Sequence, residues 1–385
     1  MGMNRKALRR VGLAAALMGS AALPAAAQVV ATGTVSQCIP FAVPQAVPFT
    51  EAPKLSFSVQ GSARMTVTMD TGSVGVALAS GKIPGYAQLK ASPAAKPGYQ
   101  FLSSSKVLWV GTWVPVVVTL FDGQGQEVAT ATVPILGVEQ SGVCQNYAND
   151  GTCPDPNALQ PAGNSDIVYM GVGFGREADY QPQGTPDKNV LLNLATVGKT
   201  AVTPATFKPG YIIGTTGVTV GLTPQNTQGF GFVKLQPLAQ YNDWQPVGMC
   251  ISINGAACAQ GTALIDTGIP QSYVTVPSSM TFQTVSAPDA SEPSRTVQVL
   301  APGTTVSVAF AGTAGTVATD AFTISAPGIA PPQPQEPLQV IPWMGKEQKP
   351  TFINTGRHFL RQVQFLYDPS GGHVGFKPQS GGCGG

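Results

Sequence analysis

Val67-Thr68-Met69-Asp70-Thr71-Gly72-Ser73 and Ala263-Leu264-Ile265-Asp266-Thr267-Gly268-Ile269 share one pattern, an apolar, strand-like run that ends in Asp-Thr-Gly. The strand delivers an aspartate to a turn, the threonine hydroxyl can hydrogen-bond beneath it, and the glycine lets another backbone come close. A single Asp-Thr-Gly says little, because Asp and Gly are ordinary turn formers. Two copies in matching apolar contexts, 196 positions apart, are what a water-activating pair of carboxylates requires. Asp70 and Asp266 are therefore the candidate catalytic residues. Thr71, Gly72, Ser73, Thr267 and Gly268 are the candidate supports of their loops.

The surrounding composition points to many short strands. Charged residues are 10% of the chain, against 45 glycines and 34 prolines, and Val, Thr and Ala fill the periodic segments. Long helices suit this mixture poorly, so an all-β fold is expected. Residues 1–27 read as a signal peptide, with Arg5, Lys6, Arg9 and Arg10 before an apolar run and Ala25-Ala26-Ala27 at the cleavage site. The Arg9-Arg10 pair leaves both the general and the twin-arginine export routes open. No later stretch is long and apolar enough to span a bilayer, so a periplasmic or secreted chain with no membrane span is expected. Removing the leader takes away four positive charges and moves the formal balance from +2 to −2. No basic cluster remains, which argues against nucleic acid as a partner.

Six cysteines in an exported chain predict three disulfides. Fifteen pairings are possible, and spacing favours Cys144–Cys153 and Cys250–Cys258 across short turn-rich segments, leaving Cys38 and Cys383 to join the two ends. There is no Cys-x-x-Cys and there are only two histidines, so neither a metal nor another cofactor is expected.

Along the chain, residues 54–78 read as strand, turn and strand with Asp70 at the turn. Residues 99–102 and 107–120 form the arms of a long hairpin with a polar tip at 103–106. Strands are expected at 129–138, 166–175, 211–223, 229–235, 244–253 and 304–324, and a closing strand at 373–376. One modest helix is expected at 189–197, a helical turn near residue 359, and a Pro-dense surface loop at 326–342. The order strand, Asp-Thr-Gly, further strands, Gly-marked strand occurs twice. That divides the chain into a leader (1–27), an N-terminal half (28–205) and a C-terminal half (206–385).

With these motifs the chain resembles the pepsin-like aspartic peptidases over most of its length beyond the leader. Asp166-Ile167-Val168-Tyr169-Met170-Gly171 is similar to that family's strand crossing beneath the first turn. Gly356-Arg357-His358-Phe359-Leu360-Arg361 and His373-Val374-Gly375-Phe376 are similar to its C-terminal signature. The resemblance implies a bilobal pepsin-like fold, two β-barrel-like lobes with a central cleft. It also implies one aspartate from each lobe, Thr71 and Thr267 interlocked between them, and a flap hairpin whose aromatic is Tyr99, Phe101 or Trp109. The implied activity is that of an aspartic endopeptidase, a monomer acting on extended peptide or unfolded protein.

In that reading the two carboxyls share one proton. The ionised member takes a proton from a bridging water while the protonated member hydrogen-bonds the scissile carbonyl oxygen. The chain also departs from the family. Ile269 stands where a Ser or Thr usually supports the second aspartate. Asn354-Thr355 replaces the usual apolar pair before the second crossing glycine, and the Trp that often follows the first turn is missing. Only 42 residues separate the expected cleavage site from Asp70, too few for a propeptide of the family's kind. A non-catalytic pepsin-fold binding or inhibitor protein is the alternative expectation.

Overall fold

The computed structural model describes residues 31–145, 147, 151, 153, 155, 157–326 and 333–383; the expected signal peptide lies outside them. Strand takes 44% of the molecule and helix 6%, in curled sheets, so the fold is all-β. The reason is visible in the alternation of the long segments. In Val107–Phe121, Val114, Val116, Val118 and Leu120 are buried, while Val117 points outward. In Val247–Ile253, Val247, Met249, Ile251 and Ile253 are buried, and Gly248 lies outside. A period of two fits a sheet with one face in the core. At about 25 cal/mol per Å² of apolar surface removed from water, such rows hold the curled sheets closed.

Three sheets carry the molecule. The first, of ten strands, contains both Met65–Asp70 and Val74–Ala79, and the second, of seven, contains Ala259–Leu264 and Ser272–Thr275. The third has six strands and draws on both ends of the chain, from Gln37–Pro40 to His373–Pro378. There Tyr367 stacks on Phe174 with centroids 4.2 Å apart. The Tyr211 hydroxyl donates to the Val172 carbonyl at 2.6 Å.

The first two sheets repeat one connection. Val168–Val172 runs parallel to the strand entering the first Asp-Thr-Gly and antiparallel to the strand leaving it. Phe352–Asn354 does the same at the second. Behind each outgoing strand lies a further parallel strand, from Glu127–Val143 in the first half and Val340–Pro342 in the second.

Two expectations are corrected. Residues 189–197 are not a helix. Asn189 is buried, donates from Nδ2 to the Val172 carbonyl at 2.8 Å and accepts from the Leu191 amide at 3.0 Å. That side-chain competition favours turns over helix, and Leu194–Val197 then joins the first sheet. Tyr86–Lys90 forms a short α-helix. The Pro-dense stretch is not wholly a surface loop either. Its last residues form the strand Val340–Pro342, with Val340 1% exposed, while 327–332 lie outside the described residues.

The three disulfides pair as expected: Cys38–Cys383, Cys144–Cys153 and Cys250–Cys258. Cys250–Cys258 closes a loop over a sequence separation of 8 in a hairpin already held by ladder hydrogen bonds. Replacing both cysteines with serine is expected to cost about 2–3 kcal/mol, through the freedom returned to the unfolded chain. Urea denaturation at matched m-value measures this.

Candidate active site

Each Asp-Thr-Gly turn sits where a strand pair parts. Val67 and Met69 point into the core, and the pleat then leaves Asp70 at the strand end, 3% exposed. Ala263, Leu264 and Ile265 are likewise buried ahead of Asp266, which is 6% exposed. The crossing strands press against the turns at glycine. A Cβ on Gly171 would lie 2.5 Å from the Val74 nitrogen, closer than any side chain tolerates.

The two turns grip one another through their threonines. The Thr71 amide donates to Thr267 Oγ1 at 2.9 Å, and the Thr267 amide donates to Thr71 Oγ1 at 2.9 Å. Each hydroxyl in turn donates to the strand of the opposite half, Thr71 to the Ile265 carbonyl at 2.6 Å and Thr267 to the Met69 carbonyl at 2.8 Å. Both threonines are buried, so these four bonds are made away from water, where an unmade one is costly. The glycine carbonyls are held too, Gly72 by Arg176 Nε at 2.9 Å and Gly268 by Arg357 Nη1 at 3.5 Å.

This grip brings the Asp70 and Asp266 side chains together, so that a Cβ on Gly268 would meet Asp70 Oδ1 at 2.5 Å and Asp266 Oδ1 at 3.1 Å. Each carboxyl leans over the opposite turn. A Cβ on Gly72 would lie 2.5 Å from Asp266 Oδ2, and one on Gly268 2.5 Å from Asp70 Oδ1. Only glycine fits at these positions. Asp70 accepts from the Gly72 amide at 2.7 Å, from Ser73 Oγ at 2.6 Å and from the Tyr169 hydroxyl at 2.8 Å. Asp266 accepts from the Gly268 amide at 2.8 Å and from Asn354 Nδ2 at 2.7 Å. Burial first, and the neighbouring Asp70 charge second, push the Asp266 carboxyl up to about 8. Asp266 thus keeps its proton well above the ordinary carboxylate range. Such a pair can orient a water, take a proton from it and give one to an oxygen opposite.

All five loop residues, Thr71, Gly72, Ser73, Thr267 and Gly268, therefore touch the aspartates or each other. Ile269 leaves Asp266 without the hydroxyl that Ser73 gives Asp70, but Asn354 supplies a donor in its place. Asn354 and Tyr169 were both missed as donors, although each stands two residues before a crossing glycine. The polar Asn inside an otherwise apolar strand position was the available signal.

The long hairpin has the expected shape, Lys96–Leu102 against Val107–Phe121. Its three aromatics differ in placement. Phe101 is fully buried with Leu108 and Cys144, and Tyr99 is half-buried, edge-on to Tyr147. Trp109 is 7% exposed and meets the Tyr169 ring edge-on, with centroids 5.4 Å apart. Trp113 is buried and donates from Nε1 to Gln183 at 2.7 Å. His358 is also buried, with Nδ1 2.7 Å from the Glu336 carbonyl, away from either aspartate's hydrogen bonds. No known family model and no curated protein matches the chain.

Proposed function

We propose that this protein is an exported aspartic-type endopeptidase on a bilobal pepsin-like fold, with Asp70 and Asp266 as its catalytic pair. The observation that carries the reading is the convergence of two buried aspartates, one from each half, on turns locked by reciprocal threonine hydrogen bonds. The repeated strand connection supports two lobes, and the three disulfides suit an oxidising compartment, periplasmic or extracellular. The substrate is an extended peptide or unfolded protein, held along the cleft by backbone hydrogen bonds, and the enzyme works as a monomer. Asp70, which faces more donors, takes the proton from water, and Asp266 carries the shared proton to the scissile carbonyl oxygen.

The test is hydrolysis of unfolded casein by the purified protein from pH 3 to 9, with and without a statine-type inhibitor. Turnover is expected at acidic pH and is expected to fall as pH rises through about 8, where Asp266 loses its proton. The near-complete burial of both aspartates, residues 3% and 6% exposed, favours a second reading, a non-catalytic pepsin-fold binding or inhibitor protein. Statine binding without turnover at any pH would select that reading.

A further inference from the structure

The two donors missed in the sequence stand at equivalent positions. Tyr169 pairs with Thr68, two residues before Asp70, and Asn354 pairs with Leu264, two residues before Asp266. Each lies two residues before its crossing glycine, Gly171 or Gly356, and each donates to the Oδ2 atom of its aspartate, at 2.8 and 2.7 Å. The equivalence ends at the next shell. Ser73 adds a second donor to Asp70 Oδ2, and Ile269 adds none to Asp266.

Neither donor is free to turn away. The Asn354 amide is fixed from behind, because its Oδ1 accepts from the Gly356 amide at 2.9 Å. Tyr169 is held edge-on by Trp109, and burial keeps its phenol protonated, pushed well above its ordinary value. The other titratable or charged groups facing the pair are Tyr211 and Tyr273, both kept neutral by burial, and Arg176 and Arg357 on the glycine carbonyls.

Resting on the peptidase reading above, we infer that Tyr169 and Asn354 are paired positioning residues, one per half, that set which aspartate holds the shared proton. Tyr169 with Ser73 stabilises negative charge on Asp70. Asn354 is the one side-chain donor to Asp266 among the described residues and, with the Gly268 amide, leaves it the less stabilised anion, so the proton rests there. The missing hydroxyl at Ile269 is then part of the device, because it leaves Asp266 one side-chain donor of fixed direction where Asp70 has two.

The two donors act on opposite limbs of the pH profile, because removing a donor from a carboxylate makes it easier to protonate. Tyr169→Phe is expected to move the acid limb of kcat upward by about one pH unit and to lower kcat about 10-fold, with KM changed less than about 2-fold. Asn354→Leu is expected to move the alkaline limb upward by about one pH unit and to leave the acid limb in place. Adding Ile269→Ser to Asn354→Leu puts a hydroxyl where Ser73 stands in the first half and is expected to return the alkaline limb to its wild-type position.

Infrared titration of the protonated-carboxyl band gives the same shifts without turnover, and Asn354→Ala replaces the leucine variant if that one does not fold. An active wild type whose limbs stay put in both single variants overturns the inference and leaves the peptidase reading standing. A wild type without turnover overturns the peptidase reading, and the infrared shifts then still decide the role of the two donors.

Discussion

Asp70→Asn is expected to abolish casein hydrolysis, by about 10³-fold or more in kcat, and to leave the fold intact. The asparagine carbonyl can take the Gly72 amide bond that Asp70 Oδ1 accepts now. Its NH₂ then faces Ser73 Oγ and the Tyr169 hydroxyl, and both can rotate to accept. The loop keeps its hydrogen bonds and loses only the base. Asp266→Asn is expected to be equally inactive, but its surroundings are less forgiving. Asn354 cannot flip to accept the new NH₂ without surrendering the Gly356 amide.

The Asp266 variant carries a second signature. The wild-type carboxyl is pushed up to about 8 in the fold, against about 4 in an unfolded chain, so folding takes up a proton between those values. A raised carboxyl contributes its stability below the unfolded value and loses it as pH rises through the folded one. Wild-type stability should therefore decline from about pH 4 to 8, and Asp266→Asn should flatten that decline. Urea midpoints measured across this range check it. An asparagine variant that still cleaves at the wild-type rate would remove the dyad from the mechanism.

Much of the site was legible because its chemistry is written in short, repeated stretches. The two Asp-Thr-Gly turns, the cysteine spacings and the Gly-marked crossing strands depend on residues adjacent in sequence, and pattern reading finds such features. What escaped depends on register. Nothing local says that Tyr169 stands opposite Thr68, or Asn354 opposite Leu264, until the crossing strands are laid beside the turns. The segment 189–197 misled for a related reason. Val190-Leu191-Leu192 has the apolar content of a helix, but the buried Asn189 side chain captures nearby backbone groups and fixes a turn instead. The composition of the Pro-dense 326–342 stretch is that of a loop, and composition does not reveal that Val340 completes the sheet behind Ser272–Thr275.

Thr71→Val and Thr267→Val are expected to be strongly damaging although they leave both carboxyls untouched. Valine matches threonine in shape, so no cavity opens and no new contact is forced. The loss is confined to one hydroxyl that both accepts and donates. Removing Thr71 Oγ1 leaves the buried Thr267 amide and the Ile265 carbonyl without the bonds they make at 2.9 and 2.6 Å. An unpaired buried amide costs roughly 1–3 kcal/mol and the carbonyl about another 1, so each valine should cost about 2–4 kcal/mol. The double variant should cost less than the sum of the two, because the same crossed pair is broken twice. Thr→Ser at either position keeps the hydroxyl and should cost about 1 kcal/mol, the value of a lost buried methyl group. Activity should fall more steeply than stability suggests, by about 100-fold, because the hydroxyls fix where each turn stands and a shift of about 1 Å separates the carboxyls from a shared water. Urea denaturation and casein turnover on the valine and serine variants separate the two effects. A valine variant with wild-type turnover would show that the carboxyls keep their spacing without the crossed bonds.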